Sequence, residues 1–156
     1  NVISRWLSET NNPAADFKKL LRLPRARGYN YNFIDTRGKI INIESTAGHA
    51  LLTLPASPFY HTNHYLSTLK KYEAYKKKSS FRRFKKVGEH IREAMTTQEL
   101  KYLLADRSDG PAESIRNKGT VGNIIINLRE PAAYVWLLRE NKKGFVRFDL
   151  DFLPRS

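Results

Sequence analysis

The chain has 156 residues, of which 40% are hydrophobic and 12% aromatic, so it can form one domain with a substantial core. With 28 lysines and arginines against 15 acidic residues, its formal net charge is +13, which favours anionic partners. No apolar run approaches the roughly 20 residues that a membrane-spanning helix requires. The chain has no cysteine, which excludes disulfides, zinc–thiolate sites and a cysteine nucleophile among these residues. We therefore expect a cytoplasmic protein.

The N-terminal part of the chain predicts two helices. The stretch VISRWLSET places its apolar residues on one helical face. Asn12 followed by Pro13 is typical of a helix start, and Pro24 should end that second helix. Its buried stripe should consist of Phe17, Leu20 and Leu21. Since the first helix has no N-cap of its own, we expect that further sequence precedes it.

From Tyr29 the apolar period changes from helical to two, which indicates β-strands. YNYNFID and KIINIES flank TRG, a predicted hairpin turn in which Gly38 adopts a positive φ. GHALLTLPA continues as a third strand, and Phe59 and Tyr60 follow it. These segments predict an antiparallel meander.

The middle of the chain predicts helices. One helical face comprises Tyr65, Leu69 and Tyr72. A second face comprises Phe81, Phe84, Val87, Ile91 and Met95. KKKSS should separate the two segments. Thr96, with Glu99 three residues later, has the pattern of a capping box at the start of a further helix. Residues 106–111 (DRSDGP) should form a loop.

The last third of the chain predicts strands again. GTVGNIIINL, AAYVWLLRE and GFVRFDLDF read as three strands joined by REP and NKKG. Strands grouped in this way, with helices between the groups, favour an antiparallel sheet under a helical layer. We predict a single α+β domain that spans residues 1–156.

Two of the four histidines flank an asparagine in the stretch PFYHTNHY. His61 and His64 could bind a metal ion, but such a site needs three or four protein ligands and no motif supplies the others. No Gly-x-Ser-x-Gly motif occurs, which disfavours a serine hydrolase. The stretch could also form an active-site edge where the amide of Asn63 donates to a developing oxyanion. Taken alone, these residues favour a polar strand end.

A basic cluster extends from Lys70 to Lys86. It contains nine lysines and arginines and one acidic residue, Glu73. Its aromatic residues could stack on single-stranded nucleic acid, yet they fall at the spacing of a helical core. No RNP or helix-turn-helix signature occurs. A solvated helix face is the simpler interpretation, and binding of nucleic acid or another anion is the alternative function.

Five motifs occur in a recognisable order. They are the acidic strand motif NIEST, the stretch ending in HTNH, the segment SSFRR, the Thr-capped TTQELKYLLADR and the strand GTVGNIIINL. Their order and spacing, from about Pro13 to Leu128, resemble those of the acyl-coenzyme A:6-aminopenicillanic acid acyltransferase family. This family is a branch of the N-terminal-nucleophile hydrolases. The resemblance implies that the chain supplies one sheet and one helical layer of a four-layer αββα sandwich.

The resemblance also implies site residues. It gives Asn63 a place in the oxyanion hole. It places five other residues around the pocket: Glu44, Thr46, His61, Thr62 and His64. A family arginine just before the threonine-led strand assists the nucleophile, and this chain offers Arg116, Asn117 or Lys118 there. The family nucleophile is a cysteine that is exposed by self-cleavage, and its own α-amine acts as the base.

The absence of cysteine is the main departure from the family pattern. We therefore expect the chain to be the C-terminal part of a larger enzyme, with the N-terminal part that carries the nucleophile as its partner. The expected activity is acyl transfer or amide hydrolysis on a non-peptide or small-peptide C–N bond. The expected substrate is a small-molecule amide or acyl compound. We expect no cofactor, and a coenzyme A thioester is a candidate substrate.

Overall fold

The computed structural model describes residues 9–35, 37–73 and 78–151. They form two compact units, divided between residues 77 and 78. The first contains helix α1 (Pro13–Arg22), strands β1 (Tyr29–Ile34), β2 (Ile40–Ser45) and β3 (Ala50–Thr53), and a 3₁₀ helix (Thr68–Tyr72). The second contains helices α2 (Lys78–His90), α3 (Thr97–Ala105) and α4 (Gly110–Glu113), strands β4 (Gly122–Asn127), β5 (Ala132–Leu137) and β6 (Val146–Asp149), and a second 3₁₀ helix (Leu138–Lys143). The predicted α+β class is confirmed.

Helix α1 begins as the sequence predicts. Asn12 Oδ1 accepts a hydrogen bond from the backbone N–H of Ala15 at 3.1 Å, which satisfies one of the free amides of the first turn. Phe17 packs against the core residues Ile41 and Ile43. The prediction for Leu21 is wrong: its side chain is 45% exposed, because the helix uses the face of Phe17 to reach the sheet. The helix predicted before residue 9 and the side chain of Leu20 lie outside the described residues.

The three strands of the first unit form an antiparallel sheet in the order β1-β2-β3, which confirms the meander. The β1–β2 register runs from Tyr29 opposite Ser45 to Ile34 opposite Ile40. Gly38 has φ 80°, as predicted for the turn. One face of the sheet is apolar and packs against α1. The other carries Asn30, Asn32, Asn42, Glu44 and Thr53, so Glu44 lies opposite the apolar core.

The second unit holds the other antiparallel sheet, in the order β4-β5-β6. Its buried centre includes Ile125 and Trp136, and helix α3 lies against β4. The capping box at the start of α3 is confirmed, since the Thr96 side chain accepts from the N–H of Glu99 and the Glu99 carboxylate accepts from that of Thr96. None of the helices in the described part of the chain is both long and apolar enough to cross a bilayer.

Several predicted helix and loop boundaries are wrong. Tyr65 precedes the first 3₁₀ helix, and its N–H donates to Glu73 Oε1 while its hydroxyl donates to the Ser45 carbonyl. Helix α2 ends at His90, so Ile91 and Met95 lie beyond it, and Ala94 turns the chain with φ 58°. The predicted loop at residues 106–111 contains the start of α4, and NKKG lies mostly within the second 3₁₀ helix. Helix α2 begins inside KKKSS at Lys78, and residues 74–77 lie outside the described part.

Candidate active site

Glu44 is the centre of a buried polar network in the first unit. It lies on β2 with only 1% of its surface exposed. Its Oε1 accepts hydrogen bonds from His61 Nε2 and from the backbone N–H of Leu66, both at 2.6 Å, and its Oε2 accepts from the N–H of Ser67 at 3.0 Å. The carboxylate therefore holds a loop at two places, on each side of residues 62–65.

The Glu44 carboxylate is ionised. Burial alone would raise its pKa, but the hydrogen bonds from His61, from the Ser67 side chain and from the two backbone amides outweigh burial and lower the pKa from 4.5 to about 2. A carboxylate with several N–H donors is stabilised in its charged form. It acts here as a fixed acceptor and does not supply protons near neutral pH.

His61 joins Glu44 to the backbone of the loop. Its Nε2 lies 2.6 Å from Glu44 Oε1, and its Nδ1 contacts the carbonyl oxygen of Thr62. Because the His61 and Glu44 side chains are 5% and 2% exposed, this contact lies in the interior of the unit.

The other side of the loop is fixed by His64 and Tyr65. His64 is buried, and its Nδ1 lies 3.1 Å from Thr62 Oγ1. Burial lowers the pKa of His64, with smaller effects from nearby charges. The N–H of Tyr65 donates to Glu73 Oε1 at 2.6 Å, and its hydroxyl donates to the carbonyl of Ser45 at 2.7 Å.

Asn63 is the exposed residue between these anchors. His61 before it and His64 after it are turned into the protein, which leaves the asparagine on the outside of the loop. The two histidines of HTNH thus hold the loop in place around the asparagine. The structure brings four of the predicted pocket residues, Glu44, His61, Thr62 and His64, into one network beneath Asn63.

Thr46, also predicted to line the pocket, closes the turn between β2 and β3. Its Oγ1 accepts from the N–H of His49 at 2.9 Å, and its own N–H donates to the His49 carbonyl at 2.7 Å. The buried Arg25 donates from Nε to the Thr46 carbonyl at 2.9 Å. These contacts stabilise the end of β2, from which Glu44 projects. A direct role of Thr46 in a pocket stays a prediction.

Arg116, Asn117 and Lys118 belong to the second unit and line one pocket of about 400 Å³ together with Trp136. The Asn117 side chain is used in its own turn, since Oδ1 accepts from the N–H of Gly119 at 2.8 Å and Nδ2 donates to the Ser114 carbonyl at 3.3 Å. The nucleophile-assisting role predicted for these three residues stays a prediction.

In the basic cluster, several cations on α2 have acidic partners. Arg82 lies 2.8 Å from Glu113, while Lys86 lies 3.8 Å from Asp109 and Lys85 lies 3.8 Å from Glu89. The first two contacts tie α2 to α4 and its N-cap residue, the third lies within α2, and all three partly neutralise the charge of the helix. Part of the cluster therefore has a structural role, and nucleic-acid binding stays an untested alternative.

Residues 1–144 match the protein family described as acyl-coenzyme A:6-aminopenicillanic acid acyl-transferase. The chain belongs to this family. The resemblance carried by the five motifs is thereby confirmed. No curated protein and no solved structure matches the chain.

Sequence reasoning missed three residues that shape this candidate site of the acyl-transferase family member. Ser67 and Glu73 bind the loop from its C-terminal side, and Gly28 leaves room for Tyr65. A Cβ at Gly28 would lie 1.8 Å from Tyr65 Oη and 2.5 Å from the Ser45 carbonyl. A glycine directly before a strand was the available signal for a close approach. In the described parts of the chain, no group of three or more His, Cys, Asp or Glu side chains is placed to hold a metal ion.

Proposed function

We propose that this chain is part of a cysteine N-terminal-nucleophile enzyme that transfers an acyl group or hydrolyses an amide, and that Asn63 donates its side-chain amide to the oxyanion. Membership of the acyl-transferase family supports the reaction class. The observation that carries the role of Asn63 is the anchoring of its loop by Glu44, through His61 on one side and through Leu66 and Ser67 on the other.

Attack of a nucleophile on an amide or thioester carbonyl places negative charge on the carbonyl oxygen. A neutral amide N–H stabilises this charge without exchanging a proton. Its contribution is largest when the donor is already in position, because no free energy is then spent on reorganisation during the reaction. The buried network below HTNH provides such a fixed support for Asn63.

Glu44 and His61 act in this proposal as positioning residues. The two side chains bind each other and the loop backbone. Their effect on catalysis is to keep the loop, and with it Asn63, in one conformation.

The nucleophile in this proposal is a cysteine outside these 156 residues, which contain none. Its own α-amine serves as the general base. The complete enzyme has the αββα sandwich of the N-terminal-nucleophile hydrolases and acts in the cytoplasm. Its substrate is a small amide or acyl compound, and a coenzyme A thioester serves as an acyl donor in agreement with the family description. No cofactor takes part in this mechanism.

The test is a kinetic comparison in the natural protein that contains these residues. Acyl transfer from an acyl-coenzyme A to 6-aminopenicillanic acid and hydrolysis of a panel of N-acyl amides measure the activity, and an intact mass spectrum shows whether a cysteine-bearing part is present. Asn63→Ala should lower kcat by about 10²–10³-fold with a smaller change in KM. Asn11→Ala, which removes another exposed asparagine of the same unit, is the control.

The outcomes separate the parts of the proposal. Activity that is unchanged in Asn63→Ala would remove the oxyanion role while leaving the enzyme class in place. A natural protein without any cysteine and without acyl-transfer or amidase activity would contradict the enzyme class itself. Asn63→Asp with the same loss of kcat as Asn63→Ala would agree with the need for a neutral donor.

A further inference from the structure

The pocket around Trp136 has the composition of an anion site. Its volume is about 400 Å³, within the range of roughly 300–1,000 Å³ that is usual for small-molecule sites. Three of its lining residues are cationic, namely Arg107, Arg116 and Lys118, and none is acidic. Thr120, Trp136 and Leu138 also line the pocket.

Arg116 is held rigidly at this pocket. Its Nε donates to the carbonyl of Leu104 at 3.2 Å, and its guanidinium carbon lies 4.0 Å from the centre of the Trp136 ring. The contact with the indole face and the bond from Nε together restrict the orientation of the guanidinium. Among the described residues, no carboxylate forms an ion pair with Arg116. The two terminal nitrogens are therefore oriented donors without an acidic partner.

The charge at Arg116 is not compensated. Burial lowers the pKa of this guanidinium, and the nearby positive charge of Arg107 lowers it further. Two like charges beside a partly buried pocket destabilise each other. A bound anion would offset both effects, because it pairs with Arg116 and screens it from Arg107.

The walls of the pocket add an apolar surface and a hydroxyl. Trp136 is 1% exposed, and its indole N–H donates to Asn141 Oδ1 at 3.0 Å, so the ring supports Arg116 and offers a ligand almost no surface of its own. The apolar surface comes from the exposed Leu138. Thr120 Oγ1 accepts from the N–H of Asn117 at 3.1 Å, which leaves its hydroxyl proton to donate.

We propose that this pocket binds the anionic group, a carboxylate or a phosphate, of a small molecule whose apolar part lies against Leu138. Arg116 forms a two-pronged contact with the anion, and Arg107, Lys118 and Thr120 supply further donors. This binding needs neither a nucleophile nor Asn63. Its failure and the failure of the proposed acyl-transfer chemistry are therefore distinguishable.

The test uses the ¹⁵N-labelled natural protein that contains these residues and four probes: benzoate, phenyl phosphate, inorganic phosphate and the neutral benzamide. The signals of the Trp136 indole N–H and the Arg116 Nε–H follow each titration, so that binding is located as well as measured. We expect saturable shifts of both signals with benzoate or phenyl phosphate, and none with benzamide. The better of these two anions identifies the group that the pocket prefers, and inorganic phosphate should bind more weakly than phenyl phosphate.

Variants distinguish binding at a specific site from general attraction of anions by the net positive charge. Arg116→Gln should weaken binding by roughly tenfold or more, because a charge-assisted, two-pronged contact is lost. Arg129→Gln removes the same charge at the β4–β5 turn, at the other end of that hairpin from Leu138, and should leave the affinity unchanged. Should Arg116→Gln fail to fold, Arg107→Gln changes an exposed side chain of the same pocket and should still weaken binding.

Three results would overturn the proposal. These are equal binding of benzamide and benzoate, equal losses in the variants at Arg116 and Arg129, and shifts confined to signals away from Trp136. Inorganic phosphate that binds as tightly as phenyl phosphate would overturn the role of Leu138.

Discussion

Glu44 on a strand and His61 on a loop, 17 residues apart, form a buried contact with 2.6 Å between Oε1 and Nε2. The pair joins the end of β2 to the segment that carries Asn63. Both ring nitrogens of His61 have a hydrogen-bond partner, so the pair leaves no unbound ring nitrogen in a poorly hydrated place. The stability of the loop therefore depends on both side chains being present together.

We predict that Glu44→Gln strongly destabilises the first unit. The substitution keeps the size of the side chain but replaces one of the two oxygens that bind His61, Leu66 and Ser67 by an amide nitrogen, which cannot accept. A buried donor is then left unsatisfied, which should lower the free energy of unfolding by roughly 1–3 kcal/mol. Urea denaturation measures this change. Glu93→Gln, an exposed carboxylate in the segment between α2 and α3, is the matched control, and equal losses in the two variants would contradict the prediction.

The free energy of unfolding should depend on pH in the acidic range because of the Glu44 carboxylate. The pKa of Glu44 is about 2 in the folded chain against an ordinary value of 4.5, so the unfolded state binds more protons between these values. The contribution of Glu44 is complete above pH 4.5 and decreases as the pH falls towards 2. Denaturation curves at a series of acidic pH values should show a shallower slope in Glu44→Gln than in the wild type, and parallel slopes would disprove this assignment.

His64 should give a separate pH dependence. Burial lowers its pKa from the ordinary value of 6.5, so its contribution to stability is present above pH 6.5 and is lost as the pH falls through the lower folded-state value. His64→Gln should remove this part of the slope of unfolding free energy against pH. The exposed His90 provides the control as His90→Gln, and a slope that His64→Gln leaves intact would argue against a neutral buried imidazole.

The position of Tyr65 should require glycine at residue 28. A methyl group there would meet Tyr65 Oη and the Ser45 carbonyl, so Gly28→Ala should destabilise by roughly 1–3 kcal/mol. In a Tyr65→Phe background the penalty should be smaller, since one of the two clashing atoms is removed. Thermal unfolding of the four proteins of this cycle measures the coupling.

Gly48→Ala is the control for that cycle, because an added methyl group at this position meets no atom within 4 Å. It should leave the melting temperature nearly unchanged. A Gly28→Ala variant as stable as Gly48→Ala would show that the loop can move without loss of its contacts.

The elements that depend on neighbouring residues were predictable from the amino-acid sequence. Asn12 caps α1 three residues away, Glu99 and Thr96 cap each other across one turn, and Gly38 takes the backbone angle that its hairpin turn needs. The period-two pattern predicted the first three strands, and the apolar runs between turn residues predicted the last three strands of the described residues. Each of these signals acts over a few residues, so the physical cause and the pattern lie in the same short segment.

The sequence also determined the family, because five motifs keep their order along most of the chain. It pointed to HTNH as the polar stretch of interest. It did not show that the two histidines are anchors and that the asparagine is the exposed member. That distinction depends on Glu44, whose side chain meets Leu66 and Ser67 from 22 and 23 residues away.

Contacts between residues that lie far apart in the sequence could be identified only from the tertiary structure. The stacking of Arg116 on Trp136 and the space that Gly28 leaves for Tyr65 arise when separate strands and loops close on one another. Sequence spacing shows which face of an element a side chain occupies, but the distance between two such faces is set by packing. For this reason the strands and caps were determined locally, whereas the support below Asn63 and the cationic pocket beside Trp136 were determined by the fold.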